Sequence, residues 1–446
     1  MNKAATAAEI GVSLSTSRIS VEKLQSSLQA KAKSEPSYRF YSLWDKVYRE
    51  DVLLEAFRRS RANTGAPGVD GIDFEAIEAA GVERWLKALQ EELRGKSYAP
   101  QPLLRVWIPK RNGGQRPLSI PTVKDRVVQT AVVLVLGPIF EADLAPQQYG
   151  FRPGLDAKMA VRRVYFHITE HDRREVVDAD LSDYFDSVRH DLLLAKVAQR
   201  VSDAEVLHLL KLMLKSTGKL GVPQGGVISP LLSNIYLNEV DKMLERAKEA
   251  TRAGQYTYVE YARYADDLVI LIDAYKRHDW LLTAVMKRLR EEFAKLQVEI
   301  NEEKSRIVDL GRGESFGFLG FDFRRTLSRR GVWRAQYTPK LKKRTALLRK
   351  LKEIFRRFQS QPLDGVVELI NPVLRGWVRY FAIGHSSSCF SFIKDWVEKK
   401  ARRHLGRASK RRGFGWNRWS RRWLYETVGL FNGYRVQVRP PKVLPA

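Results

Sequence analysis

Two adjacent aspartates, Asp266 and Asp267, interrupt an otherwise apolar part of the sequence. They lie in the stretch VEYARYADDLVILID, residues 259–273, between two runs of residues that favour β-strands. Two like charges in such a setting are costly unless a cation lies opposite them. Taken alone, the pair is also typical of an ordinary hairpin turn, in which aspartate is common.

A second acidic cluster follows the apolar pair Val176-Val177. On a strand, Asp178 and Asp180 share one face, because side chains alternate between the two faces. Beyond Leu181 the pattern becomes helical, which places Asp180 at the end of a strand; Asp183 and Asp186 complete the cluster. If this strand is a sheet neighbour of the strands around Asp266, three carboxylates converge.

A cluster of carboxylates in a chain with few histidines indicates Mg²⁺ or Mn²⁺ rather than zinc, because these hard cations prefer oxygen ligands. Two such ions about 4 Å apart can hold the attacking and leaving oxygens of a phosphoryl displacement. The spacing of the aspartates therefore favours phosphoryl-transfer chemistry.

The elements that position these residues are of mixed type. Residues 36–165 read as amphipathic helices with two extended runs around the hairpin signal Asn112-Gly113-Gly114. The middle of the chain is mixed α and β, with strands that are far apart in sequence. From about Tyr337 long basic helical segments take over, and we predict boundaries near 325–340 and near 405.

The composition bounds the class of protein. The 446 residues are 44% hydrophobic and 29% charged, which is typical of a globular chain. The single cysteine, Cys389, excludes a disulfide framework and any zinc site built of several cysteines, and it suits a reducing compartment. No apolar run is long enough for a membrane helix. Residues 1–35 are expected to form a flexible tail, with an organellar transit peptide as the alternative.

The positive charge is concentrated near the C-terminus. Of a net charge of +27, nearly all lies in residues 321–446, which contain 31 Lys/Arg against 7 Asp/Glu and six of the ten tryptophans. Basic residues interleaved with aromatic ones suit phosphate contacts and base stacking, so we predict that this region binds nucleic acid. A solvated basic surface on ordinary helices is the alternative.

Taken together, these stretches resemble a group II intron-encoded reverse transcriptase/maturase of the type that lacks an endonuclease. The resemblance runs in order from about residue 55 to the C-terminus, and the order of the motifs makes it specific. Thr64, Leu155 and Lys158 depart from the family pattern. The matching strings are NTGAPGVDGI, VWIPKRNGGQRPLSIPTVKDRVVQ, QQYGFRPGLDAKMAV, DADLSDYFDSVRHD, GVPQGGVISPLLSNIYLNEVD, YADD, LQVEINEEKSRIVDL and FGFLGFDF, followed by YTPKLKKRTALLRKLKEIF and NPVLRGWVRYF.

The resemblance implies an α+β fold of the right-hand polymerase type, with fingers, a palm with an antiparallel sheet, a helical thumb and a basic C-terminal extension. The implied divisions are a tail at 1–35, an N-terminal extension and fingers at 36–165, a palm at 166–325, a thumb or maturase domain at 326–404, and a basic, aromatic-rich nucleic-acid-binding segment at 405–446. No Cys-x-x-Cys or His-Asn-His pattern follows, so we expect no DNA-cleaving domain.

The resemblance also assigns roles to residues. Asp180, Asp266 and Asp267 would be catalytic and would bind two Mg²⁺ ions with the backbone carbonyl of Leu181; Mn²⁺ is a possible substitute. The residues implied to bind the nucleotide are Lys110, Arg116, Phe185, which would exclude a 2′-hydroxyl, and Gln224. The nucleic-acid-binding set is Gly225, Gly226, Lys304, Lys340, Arg375, Trp377, Arg411, Arg412, Trp416 and Trp419.

The function implied is RNA-directed DNA synthesis, combined with binding of the group II intron RNA, promotion of its splicing, and intron mobility by target-primed reverse transcription. The partners would be that structured RNA, an RNA template with a DNA primer, target DNA and deoxynucleoside triphosphates, in a bacterial cytoplasm rather than an organelle or membrane. Two alternatives remain: an intron-independent relative in CRISPR or host defence, and an RNA-binding splicing factor without polymerase activity.

Overall fold

The computed structural model describes residues 3–109, 114–328, 330–408 and 415–437, with the side chains of 3–17, 116 and 408 left aside. Among these residues no helix combines the length and the apolar character needed to cross a membrane. The helices are α1 (Lys3–Ser34), α2 (Trp44–Val47), α3 (Glu50–Ala62), α4 (Phe74–Ala80), α5 (Val82–Arg94), α6 (Val123–Glu141), α7 (Ala157–Glu170), α8 (Tyr184–Ser187), α9 (His190–Ala198), α10 (Ala204–Lys215), α11 (Ser229–Ala250), α12 (Asp279–Leu296), α13 (Leu341–Arg357), α14 (Leu363–Phe381), α15 (Ser387–Ala408) and α16 (Arg421–Glu426).

The strands form four antiparallel groups. Their pairing orders are β1-β2, β4-β5, β6-β7-β3-β8 and β11-β10-β9. The strands are β1 (Leu104–Pro109), β2 (Gln115–Ile120), β3 (Arg173–Ala179), β4 (Arg252–Ala253), β5 (Tyr256–Thr257), β6 (Val259–Tyr264), β7 (Asp267–Asp273), β8 (Arg306–Asp309), β9 (Ser315–Phe318), β10 (Phe321–Leu327) and β11 (Trp333–Pro339).

The four-stranded palm sheet lies between two hydrophobic cores. Along β7, Leu268 and Ile270 belong to a large core with α6, α11 and α12, whereas Val269 and Leu271 belong to a second core with α7 and β9–β11. A strand buried on both faces needs apolar residues at every position, and this explains the unbroken run LVILI. The mixed α and β architecture with an antiparallel sheet confirms the predicted fold class.

The N-terminal helix differs from the predicted flexible tail. Helix α1 spans nearly all of residues 1–35, and Val21, Leu28 and Ala32 of its second half are buried in the large core. The Gln25 side chain donates a hydrogen bond of 3.0 Å to the carbonyl of Leu134 in α6. That carbonyl is four residues before Pro138, which has no N–H to donate to it. Gln25 thus replaces the hydrogen bond that α6 lacks.

The other predicted boundaries fall inside secondary-structure elements. Position 165/166 lies in α7, 325/326 lies in β10, and 404/405 lies in α15. The basic helical region begins only at Leu341, after β11. The last described segment packs on α13–α15 through Leu424 and Leu430. Changes in composition along the chain therefore do not mark the places where tertiary contacts are few.

A fully buried ion pair joins the palm sheet to the long helix beneath it. Arg263 in β6 and Asp241 in α11 are each at most 1% exposed. The Arg263 Nε donates to both carboxylate oxygens of Asp241, at 2.9 and 3.0 Å, and its Nη2 also contacts Asp241. Burying two charges is favourable only when each stays paired, so removing one partner leaves the other uncompensated.

This pair predicts the effect of one substitution. We expect Asp241→Ala to lower the free energy of unfolding by about 3–5 kcal/mol, because it strands the Arg263 charge in the core. Urea unfolding monitored by circular dichroism measures the change. Lys242→Ala on the same helix is the control: Lys242 forms an exposed pair with Glu239 at 3.0 Å, and its loss should cost less than about 1 kcal/mol. Equal losses in the two variants would contradict the prediction.

Candidate active site

The predicted convergence of the carboxylates is a consequence of strand order. Strand β7 is hydrogen-bonded to β6 on one side and to β3 on the other, with Tyr264 opposite Asp267 and Ala179 opposite Leu268. Asp180 directly follows β3, and Asp266 lies in the turn between β6 and β7. The three aspartates therefore meet at one edge of the palm sheet.

The turn that carries Asp266 is held from below. Ala265 has a φ of +57°, a left-handed conformation that L-residues rarely adopt. The carbonyl of Ala265 accepts a hydrogen bond of 2.9 Å from Arg263 Nη1, so the buried Arg263–Asp241 pair also fixes the turn. Gly150 lies so close to the Ala265 nitrogen that a Cβ there would clash with it.

The carboxylates repel one another. Burial, reinforced by the charges of Asp266, Asp180 and Asp178, raises the pKa of Asp267 to about 7, against the opposing effect of Lys340. Burial likewise raises the pKa of Asp178 to about 6, although Arg306 and Lys340 oppose it. The Asp267 carboxylate still touches solvent. A group of acids that resist ionisation together is a site that favours cations.

Two lysines predicted to bind nucleic acid lie at these carboxylates. Lys304 Nζ is 3.0 Å from Asp180 Oδ2. Lys340, which directly precedes α13, places its ammonium over Gly317, in space that any Cβ would occupy. Burial raises the pKa of both Asp267 and Asp322, and the charge of Lys340 opposes that rise. Both side chains therefore balance negative charge within the site.

The donor set fits a magnesium site of the open type. Mg²⁺ in nucleotide-handling sites is bound by one or two carboxylates together with substrate phosphates and water, rather than by a closed protein cage. Over the described ranges, no group of three or more His, Cys, Asp or Glu side chains is arranged to hold a metal ion by itself, so substrate and water oxygens would have to complete the coordination. Asp180, Asp266 and Asp267 are the residues that would hold such ions, with oxygen as the donor atom throughout.

The loop after β3 is fixed by residues that sequence reasoning missed. The Asp180 N–H donates to Ser305 Oγ at 3.0 Å, and the Asp180 carbonyl accepts from the Asn301 N–H at 2.9 Å. Leu181 is buried and forms a bridge with Ile300. Ser305 and Asn301 lie in the predicted palm motif LQVEINEEKSRIVDL, and only the folded chain reveals that they brace Asp180.

The structure describes the surroundings of only two of the four residues predicted to bind the nucleotide. Phe185 is half-buried at the margin of the large core, and its carbonyl accepts a hydrogen bond of 2.8 Å from the Val222 N–H. The Gln224 carbonyl accepts one of 2.8 Å from the Ser119 N–H, which connects β2 to this loop. Lys110 lies outside the described residues, and only the backbone of Arg116, in β2, lies within them.

The glycines after Gln224 pack against protein. A Cβ on Gly225, whose φ is +115°, would lie 2.7 Å from the Ser119 carbonyl oxygen; one on Gly226 would lie 2.7 Å from Ser229 Oγ. Both glycines thus lie in close contact with protein, with β2 and the start of α11. Contact with nucleic acid stays a prediction.

The predicted residues of the C-terminal third divide into exposed and packed ones. Arg375 is exposed on α14, whereas Trp377 is half-buried with its ring centroid 4.4 Å from that of Phe381. The Trp377 ring packs against the core on the inner side of α14, and its contact with nucleic acid stays a prediction. Arg411 and Arg412 lie outside the described residues.

The two remaining tryptophans are attached to α15 by a buried charge network. Trp416 is exposed above Arg402, whose guanidinium lies 4.0 Å from the ring centroid. Arg402 Nε donates to the carbonyl of the half-buried Trp419 at 2.9 Å. Glu398, fully buried, accepts from Tyr425 Oη at 2.6 Å and from Arg402. Glu398 and Arg402 carry no sequence signal beyond their four-residue spacing.

Comparison with known proteins agrees with this geometry. Residues 108–323 match the family model described as reverse transcriptase (RNA-dependent DNA polymerase). Residues 344–423 match the model described as group II intron, maturase-specific domain. The first match spans the palm sheet and its carboxylates, and the second begins three residues into α13 and ends in α16.

Individual relatives support the same assignment. Protein YkfC of Escherichia coli (strain K12) is 36% identical over 361 residues, which are 71% of this chain and 92% of that protein. The group II intron-encoded protein LtrA of Lactococcus lactis subsp. cremoris is 27% identical over 406 residues, 77% of this chain and 63% of LtrA. Nuclear intron maturase 1, mitochondrial, of Arabidopsis thaliana is 29% identical over 99 residues, 22% of this chain and 14% of that protein.

Three carboxylates at the edge of an antiparallel palm sheet, a basic helical region after it, and these matches lead to one assignment. The chain belongs to the family of group II intron-encoded reverse transcriptases, in which an RNA-dependent DNA polymerase is followed by a maturase-specific domain.

Proposed function

We propose that this reverse transcriptase binds two Mg²⁺ ions at Asp180, Asp266 and Asp267 and extends a DNA primer on an RNA template there. The observation that carries the proposal is the meeting of the three carboxylates at one edge of the palm sheet. The raised pKa of Asp267 supports it, because a cation would offset both the burial of this carboxylate and the neighbouring negative charges that raise its pKa. Mn²⁺ prefers the same oxygen ligands and is expected to substitute.

Bound divalent cations would lower the pKa of the primer 3′-hydroxyl and stabilise the charge that develops on the transferred phosphoryl group. The chain supplies the positions of the ligands. Arg263 holds the turn before Asp266, and Ser305 holds the backbone of Asp180. Lys304 Nζ, 3.0 Å from Asp180 Oδ2, pairs with that carboxylate in the structure described.

The nucleotide would enter beside the short helix α8. We place the deoxyribose against Phe185, whose ring would exclude a 2′-hydroxyl, and the nascent base pair near Gln224. Lys110 and Arg116, which flank the Asn112-Gly113-Gly114 signal in the sequence, are assigned to the triphosphate. The Ser119–Gln224 hydrogen bond supports this arrangement, because it brings β2 to the loop that carries Gln224.

The C-terminal helices would bind the group II intron RNA and promote its splicing. The match to the maturase-specific model and the excess of 31 Lys/Arg over 7 Asp/Glu after residue 320 support this part. Mobility by target-primed reverse transcription, with DNA as a further partner, follows from the same family. A cytoplasmic location belongs to the proposal and agrees with the single cysteine.

The catalytic assignment predicts that Asp266→Ala abolishes Mg²⁺-dependent cDNA synthesis on a primed RNA template. Loss of a metal-binding carboxylate should lower the rate of primer extension by about a thousandfold or more. Asp191→Ala is the control, because Asp191 is an exposed carboxylate on α9 paired with Arg189. If the Asp266 variant retains wild-type synthesis, the assignment is wrong. If the Asp266→Ala variant still promotes splicing, cDNA synthesis and splicing assistance are separable activities.

The raised pKa of Asp267 predicts a pH-dependent response to Mg²⁺. The folded protein binds this proton more tightly than the unfolded chain does. Protonation of Asp267 therefore stabilises the metal-free protein fully below about pH 4, and this stabilisation is lost as the pH rises through about 7. We expect Mg²⁺ to raise the melting temperature more at about pH 8 than at about pH 5.

Asp267→Asn is the matched control for that measurement, because it removes the titrating group and keeps its size. The difference between the two pH values should shrink in this variant. A wild-type protein whose response to Mg²⁺ is the same at both pH values would contradict the prediction.

The place given to Phe185 predicts a change in sugar selectivity. Phe185→Ala should raise the ratio of ribonucleotide to deoxyribonucleotide kcat/KM by about tenfold or more, because the steric barrier to a 2′-hydroxyl is gone. The ratio is the measurement, since the ring also packs at the margin of the core and its loss lowers both rates. Phe392→Ala, at an exposed phenylalanine of α15, is the control. An unchanged ratio would show that Phe185 is a packing residue only.

A further inference from the structure

One strongly basic surface lies far from the proposed catalytic edge. Strand β9 pairs with β10 only as far as Arg324, so the remainder of β10 and the facing part of β11 form a two-stranded ribbon that continues past the sheet. The ribbon ends in a turn closed by a 2.8 Å hydrogen bond from the Ser328 N–H to the Val332 carbonyl. We name residues 324–334 the β10–β11 ribbon.

The ribbon combines apolar exposure with charge of one sign. Leu327, Val332 and Trp333 are each at least half exposed, at 56%, 50% and 52%. The ribbon contains five arginines, and the sequence has no Asp or Glu between Phe323 and Lys352. An exposed ribbon with bulky apolar side chains and no acidic ones is poorly suited to solvent, and it is complementary to a polyanion whose bases can stack.

Ion-pair and ring contacts orient the base of the ribbon. Arg325 forms an ion pair of 2.5 Å with Asp172, and its guanidinium lies 5.5 Å from the ring centroid of Trp333. Arg324 Nε donates to Gln336 Oε1 across the strands at 2.8 Å. Trp333 is thus held by a cation on one side while half of its surface stays open, which is the arrangement a stacking platform requires.

The surface continues beside the ribbon. Asp172 also lines an open depression of about 800 Å³ together with Arg174, Tyr275 and Arg277. Tyr275 is exposed, and Arg277 lies 5.1 Å from its ring centroid. Asp172 itself is paired with Arg325 and with Arg174, so it does not offset the charge of the arginines that face solvent.

The place of this surface separates it from the template–primer. Asp172 directly precedes β3, and Asp180 directly follows it, so the two ends of the strand are roughly 25 Å apart. Arg173 opposite Asp273 marks the same far end of the sheet. The ribbon therefore lies at the end of the sheet away from the site of nucleotide addition, and we assign it to an RNA segment other than the one being copied.

We propose that the β10–β11 ribbon, with Tyr275 and Arg277 beside it, binds an unpaired loop of the structured RNA partner. This surface lies at the end of the palm sheet opposite the catalytic carboxylates. The proposal rests on the RNA binding proposed above and assigns it a second surface. Arginine side chains contact phosphates, and Trp333 stacks on an unpaired base. RNA loops supply such bases, whereas a continuous duplex does not.

The test uses the full-length protein, a labelled group II intron RNA transcript and a short primed RNA template without flanking structure. We expect Arg330→Ala/Arg334→Ala to weaken intron RNA binding by about tenfold or more and to reduce its log–log salt slope by about 1–2. Trp333→Ala should weaken binding by about fivefold or more with the salt slope unchanged. Primer extension on the short template should equal that of the wild type, which also verifies folding.

Lys287→Ala/Arg288→Ala is the matched control, because it removes two exposed charges from α12 and should leave intron RNA binding unchanged. Ribbon variants that bind the transcript like the wild type would overturn the inference while the proposed function stands. A parallel fall of primer extension on the short template would also overturn it, since the ribbon would then serve the copied strand. Weak, salt-insensitive binding by the wild type would overturn the proposed RNA partnership itself.

Discussion

Repulsion between carboxylates is the constraint on which the rest of this molecule depends. The charges of Asp266, Asp180 and Asp178 add to burial in raising the pKa of Asp267, and left to themselves these carboxylates would move apart. The fold opposes that tendency with rigid backbone. A strand buried on both faces carries one acid, a braced turn carries the next, and two lysines supply opposite charge.

The sequence predicted the carboxylates of the site better than it predicted the residues that hold them in place and balance their charge. Local sequence pattern predicted the aspartates, their strands and the β6–β7 hairpin. A strand buried on both faces requires a run of apolar residues, and an acidic turn is visible as adjacent aspartates. The roles of Lys304 and Lys340 did not. Each lysine reads as a phosphate contact, and only the folded chain shows that Lys304 pairs with Asp180 and that Lys340 lies over Gly317 beside the site.

Long-range polar contacts explain the remaining differences. Gln25 is bonded to the carbonyl left unpaired by Pro138, more than a hundred residues away, and this contact helps to turn an expected tail into part of the fingers core. Trp377 lies in a strongly basic segment but faces inward on α14. Composition averages over a segment, whereas burial is decided one side chain at a time by the periodicity of the helix.

The apolar uniformity of β7 has a consequence for strand register. In a sheet with one wet face, a slip of one residue would exchange apolar for polar side chains and would be strongly disfavoured. Along LVILI such a slip exchanges one apolar residue for another, so hydrophobicity gives little discrimination. The neighbouring strand supplies it instead: Glu260 faces Arg163 on one side of the sheet, and Arg263 faces Asp241 on the other. These two ion pairs fix which residues of β6 lie on each face of the sheet. Because β6 and β7 form one hairpin, the same register fixes the positions of the aspartates.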